Sequence, residues 1–145
     1  MRVINTGWVP LLVAALFGLL HPSPPLWDLW PTELGRRALL WYLLMAPIGE
    51  EILFRGVLYD LCRRFLGDRN ATDTNPLPIA VWVTSLGFCL WHLQNLSVDA
   101  PLLVAFQIFY TFFTGLWLGM LRWKTGKLWL PLGFHCGLNL AANIL

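Results

Sequence analysis

The sequence predicts an all-α fold: a polytopic transmembrane helix bundle of about five spans, with a polar site buried between the helices. Three observations predict it. Hydrophobic residues fill 57% of the 145 positions and charged residues only 12%, about half the charged share of an average soluble domain. Apolar stretches of about 20 residues, the length that carries a helix across a bilayer, recur between short breaks bearing proline or glycine. The 9 tryptophans suit helix ends lying in the membrane interfaces, where amphipathic rings are favoured.

Five segments qualify as spans: roughly 3 to 20, 38 to 59, 77 to 97, 101 to 123 and 127 to 145. The first, VPLLVAALFGLL, follows Arg2 and so resembles a signal peptide. HPSPPLW comes next with no small-x-small cleavage pattern, so a retained span is expected, its start diluted by Asn5, Thr6, Gly7 and Pro10. Pro22, Pro24, Pro25 and Pro31 punctuate the loop that follows, and GDRNATDTNPLP separates the second span from the third. The links at 98 to 100 and 124 to 126 are short, which makes their flanking helices antiparallel neighbours. Gly115 and Gly119 in GLWLG form a small-xxx-small face for close helix approach. Thr125-Gly126 reads as a tight turn, anchored at the interface by Trp123 and Trp129. No internal repeat is present, and residues 1 to 145 read as a single membrane-embedded domain, with 1 to 37 an extra N-terminal span and loop.

Charge orients the bundle. With five spans, Arg2, Arg63, Arg64, Arg69, Arg122, Lys124 and Lys127 fall on one side and Arg36 and Arg37 on the other, which places the N-terminus in the cytoplasm and the C-terminus outside an inner or plasma membrane of bacterial type. A net charge of +2 is too small to suggest a nucleic-acid partner. Cys62, Cys89 and Cys136 are odd in number and scattered, which argues for apolar filling rather than a disulfide framework. The sequons at Asn70 and Asn95 read as chance, one on the cytoplasmic side and one at a helix end.

An ionisable side chain at the bilayer centre costs at least ~2.5 kcal/mol, so such residues face the bundle interior and mark function by default. The second span, LLMAPIGEEILFRGVLYDL, holds Glu50, Glu51 and Arg55. Glu51 and Arg55 are spaced i,i+4 and suit an ion pair, whether for mutual neutralisation or for a site. Glu50 points about 100° away, so it needs a partner from another helix or a proton, the situation of a general base. His92 lies near the end of the third span. His135 and Asn139 share one face of the fifth, with Asn143 extending the stripe, a pattern that also suits plain interhelical hydrogen bonding. Joining these groups into one site would satisfy all of them at once.

In this order the residues resemble the CPBP family of intramembrane proteases, also called the Abi or CAAX-protease family, whose eukaryotic member is the type II endopeptidase of prenylated CAAX proteins. EExxxR is matched by Glu50, Glu51 and Arg55, FxxxH by Phe88 and His92, and HxxxN by His135 and Asn139, with Gly115, Gly119 and Thr125-Gly126 between them. The likeness covers about residues 45 to 142, some two-thirds of the chain.

The resemblance implies that Glu50 is the general base, that His92 holds the water with it, and that His135 and Asn139 stabilise the oxyanion. Glu51 and Arg55 would orient and balance the site. The implied reaction is hydrolysis of a peptide bond in a membrane protein or peptide, such as a C-terminal tail or sorting segment. Two histidines and two glutamates also have the composition of a zinc site, with Glu50, His92 and His135 as ligands. The absence of HExxH and the spread over three helices favour chemistry without a metal or other cofactor. A non-catalytic peptide-binding or immunity protein has no use for both a base and oxyanion donors. A proton-coupled transporter fits poorly with five spans lacking an inverted repeat. Many members of the family carry more spans, so a partner or homo-oligomer is expected to complete the cavity wall.

Overall fold

The computed structural model describes residues 32–66 and 77–144, which are helical with short connections and contain no strand. The expected first span at 3 to 20, the proline-rich loop up to Pro31 and the polar loop 67–76 with Arg69 and Asn70 lie outside the described residues, as does the side chain of Asn143.

Thr32 starts the first described helix: the Gly35 amide donates to its Oγ1 at 2.9 Å, satisfying one of the amides that a helix N-terminus leaves without a partner. Helix then continues to Phe65 in five pieces: α1 (Glu33–Leu40), a π-helical segment (Trp41–Met45), α2 (Ala46–Glu51), a second π-helical segment (Ile52–Leu58) and α3 (Tyr59–Phe65). After the undescribed loop come α4 (Ile79–Trp91), continued by a 3₁₀ segment (His92–Ser97), then α5 (Pro101–Thr125) and α6 (Trp129–Ile144). Pro101 at the first position of α5 needs no hydrogen bond there, and Gly126 ends the helix at φ 66°, the left-handed conformation that glycine adopts without strain.

The chain forms two compact units, Met1–Gly49 with Leu132–Leu145, and Glu50–Pro131. In the first, Leu39, Pro47 and Leu138 are buried, and the Asn139 amide donates to the Tyr42 carbonyl at 2.9 Å. In the second, α4 lies against α5 through the two glycines. A Cβ on Gly119 would stand 2.7 Å from Val81 Cγ1, so α4 approaches as closely as only glycine allows. Buried hydroxyls are returned to their own helices: Thr84 to the Ala80 carbonyl at 2.8 Å, Ser85 to Val81 at 2.6 Å and Thr111 to Gln107 at 2.7 Å. That leaves no burden on lipid, which offers no hydrogen bonds.

The second unit buries an ion pair beside its apolar core and carries apolar side chains outside. Glu51 and Arg55 are fully buried, whereas Ile52 and Val57 on the same helix, Trp82 and Leu86 on α4 and Phe113 on α5 are exposed. Exposed apolar faces around buried charge are the arrangement that lipid favours. Among the described residues α5 is by itself long and apolar enough to cross a membrane, with 25 residues that include an 18-residue stretch of mean hydropathy 1.6. At 1.5 Å per residue it reaches roughly 37 Å, more than the ~30 Å hydrocarbon core. The stretches expected as the second and third spans are helical but interrupted, the former by π-helical turns and the latter by its 3₁₀ end.

Candidate active site

The second unit holds four of the six residues singled out above. Glu51 and Arg55 meet as expected from their spacing, with Arg55 Nη1 2.9 Å from Glu51 Oε1 and neither side chain more than 1% exposed. The guanidinium is held on two further sides. Its Nη2 donates to the Gly115 carbonyl of α5 at 3.4 Å, and its plane lies 4.1 Å from the centroid of the Phe88 ring of α4. Gly115 makes this possible: a Cβ there would come within 3.3 Å of Arg55 Nη2, Phe88 and Ser85. Glu50 is half-buried at the end of α2, and its charge acts on the Arg55 guanidinium less strongly than that of Glu51.

His92 comes next in the same series. Its ring stands perpendicular to that of Phe88 with centroids 5.0 Å apart, so Phe88 carries the guanidinium on its face and also packs against the imidazole. His92 Nδ1 lies 2.9 Å from the Phe88 carbonyl, one of the last carbonyls of α4, which the helix leaves without an internal partner. A carbonyl oxygen only accepts, so Nδ1 carries a proton. This bond fixes the orientation of the imidazole, with Nε2 on the far side of the ring from that carbonyl.

Arg122, counted in the sequence only as an interfacial charge, supports the same helix. Its Nε donates to the Arg55 carbonyl at 2.9 Å, its Nη1 to the Gly126 carbonyl, and its Nη2 pairs with Asp60 at 3.2 Å. The turn at Thr125-Gly126 is thus tied to the backbone of the EExxxR helix. No spacing rule signals this, because the acceptor is a main-chain oxygen 67 residues away.

The remaining two candidates belong to the first unit. His135 is buried and Asn139 half-buried, one turn apart on α6. Asn139 is committed in part to the Tyr42 carbonyl, a bond the sequence did not announce. Within neither unit do three histidine, cysteine, aspartate or glutamate side chains among the described residues gather as a metal site requires.

The family described as Type II CAAX prenyl endopeptidase Rce1-like matches residues 32–141. No curated protein and no solved structure matches the chain. The matched segment contains all six candidate site residues and most of the chain. The protein belongs to the Rce1-like family of type II CAAX prenyl endopeptidases, proteases of the membrane.

Proposed function

We propose that the chain is an intramembrane endopeptidase in which Glu50 draws a proton from a water that His92 helps to hold. The hydroxide so formed attacks the carbonyl carbon of the substrate peptide. His135 and Asn139 donate hydrogen bonds to the oxygen as it becomes negative. The proton then passes to the leaving nitrogen, the C–N bond breaks, and a carboxylate and an amine remain. Glu51 and Arg55 hold the acidic helix and balance its charge.

The observation that carries this reading is the series Glu51, Arg55 and Phe88, all buried, and half-buried His92, which joins two motifs on different helices through one aromatic ring. A structural ion pair alone would not need a histidine ring held beside it by a bond to the Phe88 carbonyl. The substrate is a membrane protein or peptide, a C-terminal tail or hydrophobic segment. The bundle spans the bilayer about five times with its N-terminus in the cytoplasm, and a second copy completes the wall. Reporter fusions after residues 66 and 126 test the topology: a periplasmic signal at either overturns the orientation.

The test of function is co-expression with tagged candidate membrane peptides, scored by product mass, with wild type against Glu50→Gln. Products from both proteins alike refute the assignment of Glu50. Chelation followed by metal analysis separates the metal-free mechanism from a zinc-dependent one held by Glu50, His92 and His135. Loss of activity with one zinc per chain, restored by zinc, selects the latter.

A further inference from the structure

A peptide must be extended to be cleaved, and an extended peptide within a membrane presents main-chain N–H and C=O groups that lipid leaves unsatisfied. The enzyme must therefore supply polar partners for the substrate backbone beside the reacting bond. Asn95 and Gln107 have the right chemistry in the right place. His92–Ser97 is a 3₁₀ segment, in which side chains three apart eclipse, so Asn95 stands on the same side as His92. Asn95 Nδ2 donates to Gln107 Oε1 of α5 at 2.8 Å. The Asn95 carbonyl accepts from the Val98 and Asp99 amides at 3.0 and 2.8 Å, which fixes the residue at the end of the segment.

Both side chains are half-buried. Among the described residues, Asn95 Oδ1 and Gln107 Nε2 are engaged by nothing else. One amide pair with a single internal hydrogen bond thus offers one acceptor and one donor together. A peptide group offers the complement, an N–H and a C=O. We infer that Asn95 and Gln107 bind the main chain of the substrate beside His92, Asn95 Oδ1 accepting from a substrate N–H and Gln107 Nε2 donating to a substrate carbonyl. This rests on the protease reading above and adds to it how the peptide is held. It also gives Asn95 a use that has nothing to do with its sequon.

The purified full chain, in detergent, is given a farnesylated peptide ending in Cys-Val-Ile-Ser, the class that the family description and the C-terminal motif suggest. A matching series carries single ester replacements along the backbone, each removing one N–H. The expected result is that wild type loses about tenfold in KM for one ester. Asn95→Ala is expected to lose about tenfold for the all-amide peptide and no longer to distinguish that ester. Gln107→Glu keeps an oxygen for Asn95 Nδ2 while turning the donor into an acceptor, and is expected to raise KM about tenfold with kcat unchanged. A merely structural amide pair would lower thermal stability and leave the ester penalty in place, which would overturn the inference. If wild type cleaves nothing, retention of labelled peptide by Glu50→Gln protein decides. Retention that Gln107→Glu abolishes upholds the binding site while the protease reading fails. Retention indifferent to both substitutions, or none at all, overturns the site.

Discussion

The Glu51–Arg55 pair permits a quantitative test of whether the buried charge is held by mutual neutralisation. Arg55→Met keeps most of the side-chain volume but leaves the Glu51 carboxylate, fully buried, without its counter-charge. Breaking one side of a buried pair costs about 3–5 kcal/mol. Loss of the guanidinium from the Phe88 face, 4.1 Å away, adds about 2 kcal/mol in a desolvated site. The hydrogen bond to the Gly115 carbonyl, at 3.4 Å, is long and adds little. The single variant is therefore expected to lose about 5–7 kcal/mol, enough to unfold many proteins outright. Glu51→Leu combined with Arg55→Met removes both charges and both desolvation penalties, so it is expected to recover to within about 2 kcal/mol of wild type. Tryptophan fluorescence during unfolding in mixed micelles measures both. A single variant that loses less than about 1 kcal/mol, or a double variant no better than the single, refutes the account. Cleavage separates structure from chemistry. The double variant is expected to stay at least tenfold below wild type, because Glu50 loses the positive charge beside it. Full activity would make the pair structural only.

Gly119→Ala is expected to destabilise by about 1–3 kcal/mol, because its methyl would enter Val81 Cγ1, and Val81→Ala in the same chain is expected to restore most of that loss in the same unfolding assay. Arg122→Ala removes the donors to the Arg55 and Gly126 carbonyls and is expected to cost about 2 kcal/mol, seen also as faster amide exchange across residues 55–60. The exposed Asp60 partner adds little, so Asp60→Asn is expected to leave both readings near wild type. Asn139→Ala is expected to lower the cleavage rate by about 10²–10³, the loss typical of one oxyanion donor, measured by product mass against time.

Helix placement was legible because apolar runs between prolines and glycines leave few alternatives: Pro78 precedes α4, Pro101 opens α5 and Gly126 closes it. The ion pair was legible from the i,i+4 spacing of Glu51 and Arg55. The link from Arg55 to His92 was not. Phe88 entered the sequence reading only as the first letter of a spacing motif, and its contact with both groups depends on α4 lying against the second π-helical segment. Arg122 was read as one of seven positive charges on a membrane face, whereas it also binds the main chain of the acidic helix. Helical pitch was a further limit. Glu50 and Glu51 both lie in α2, where the 100° offset between them holds, but from Ile52 onward the turn widens and changes where Arg55 stands relative to them.

The wider turns do more than move Arg55. The π-helical segments Trp41–Met45 and Ile52–Leu58 stand before and after Glu50 and Glu51, and each has a carbonyl taken by a side chain distant in sequence. Asn139 binds Tyr42 from 97 residues away and Arg122 binds Arg55 from 67. A π turn shifts the backbone ladder and leaves a carbonyl out of register. In water the solvent satisfies it; within a bilayer only another part of the protein does. Widened turns on both sides of the two glutamates thus depend on these two side chains, and no local propensity in the helix itself announces them. Asn139 consequently has a structural task beside its proposed part in catalysis. Asn139→Asp, which removes the donors and adds a charge, is then expected to disturb the Trp41–Met45 turn and the reaction together.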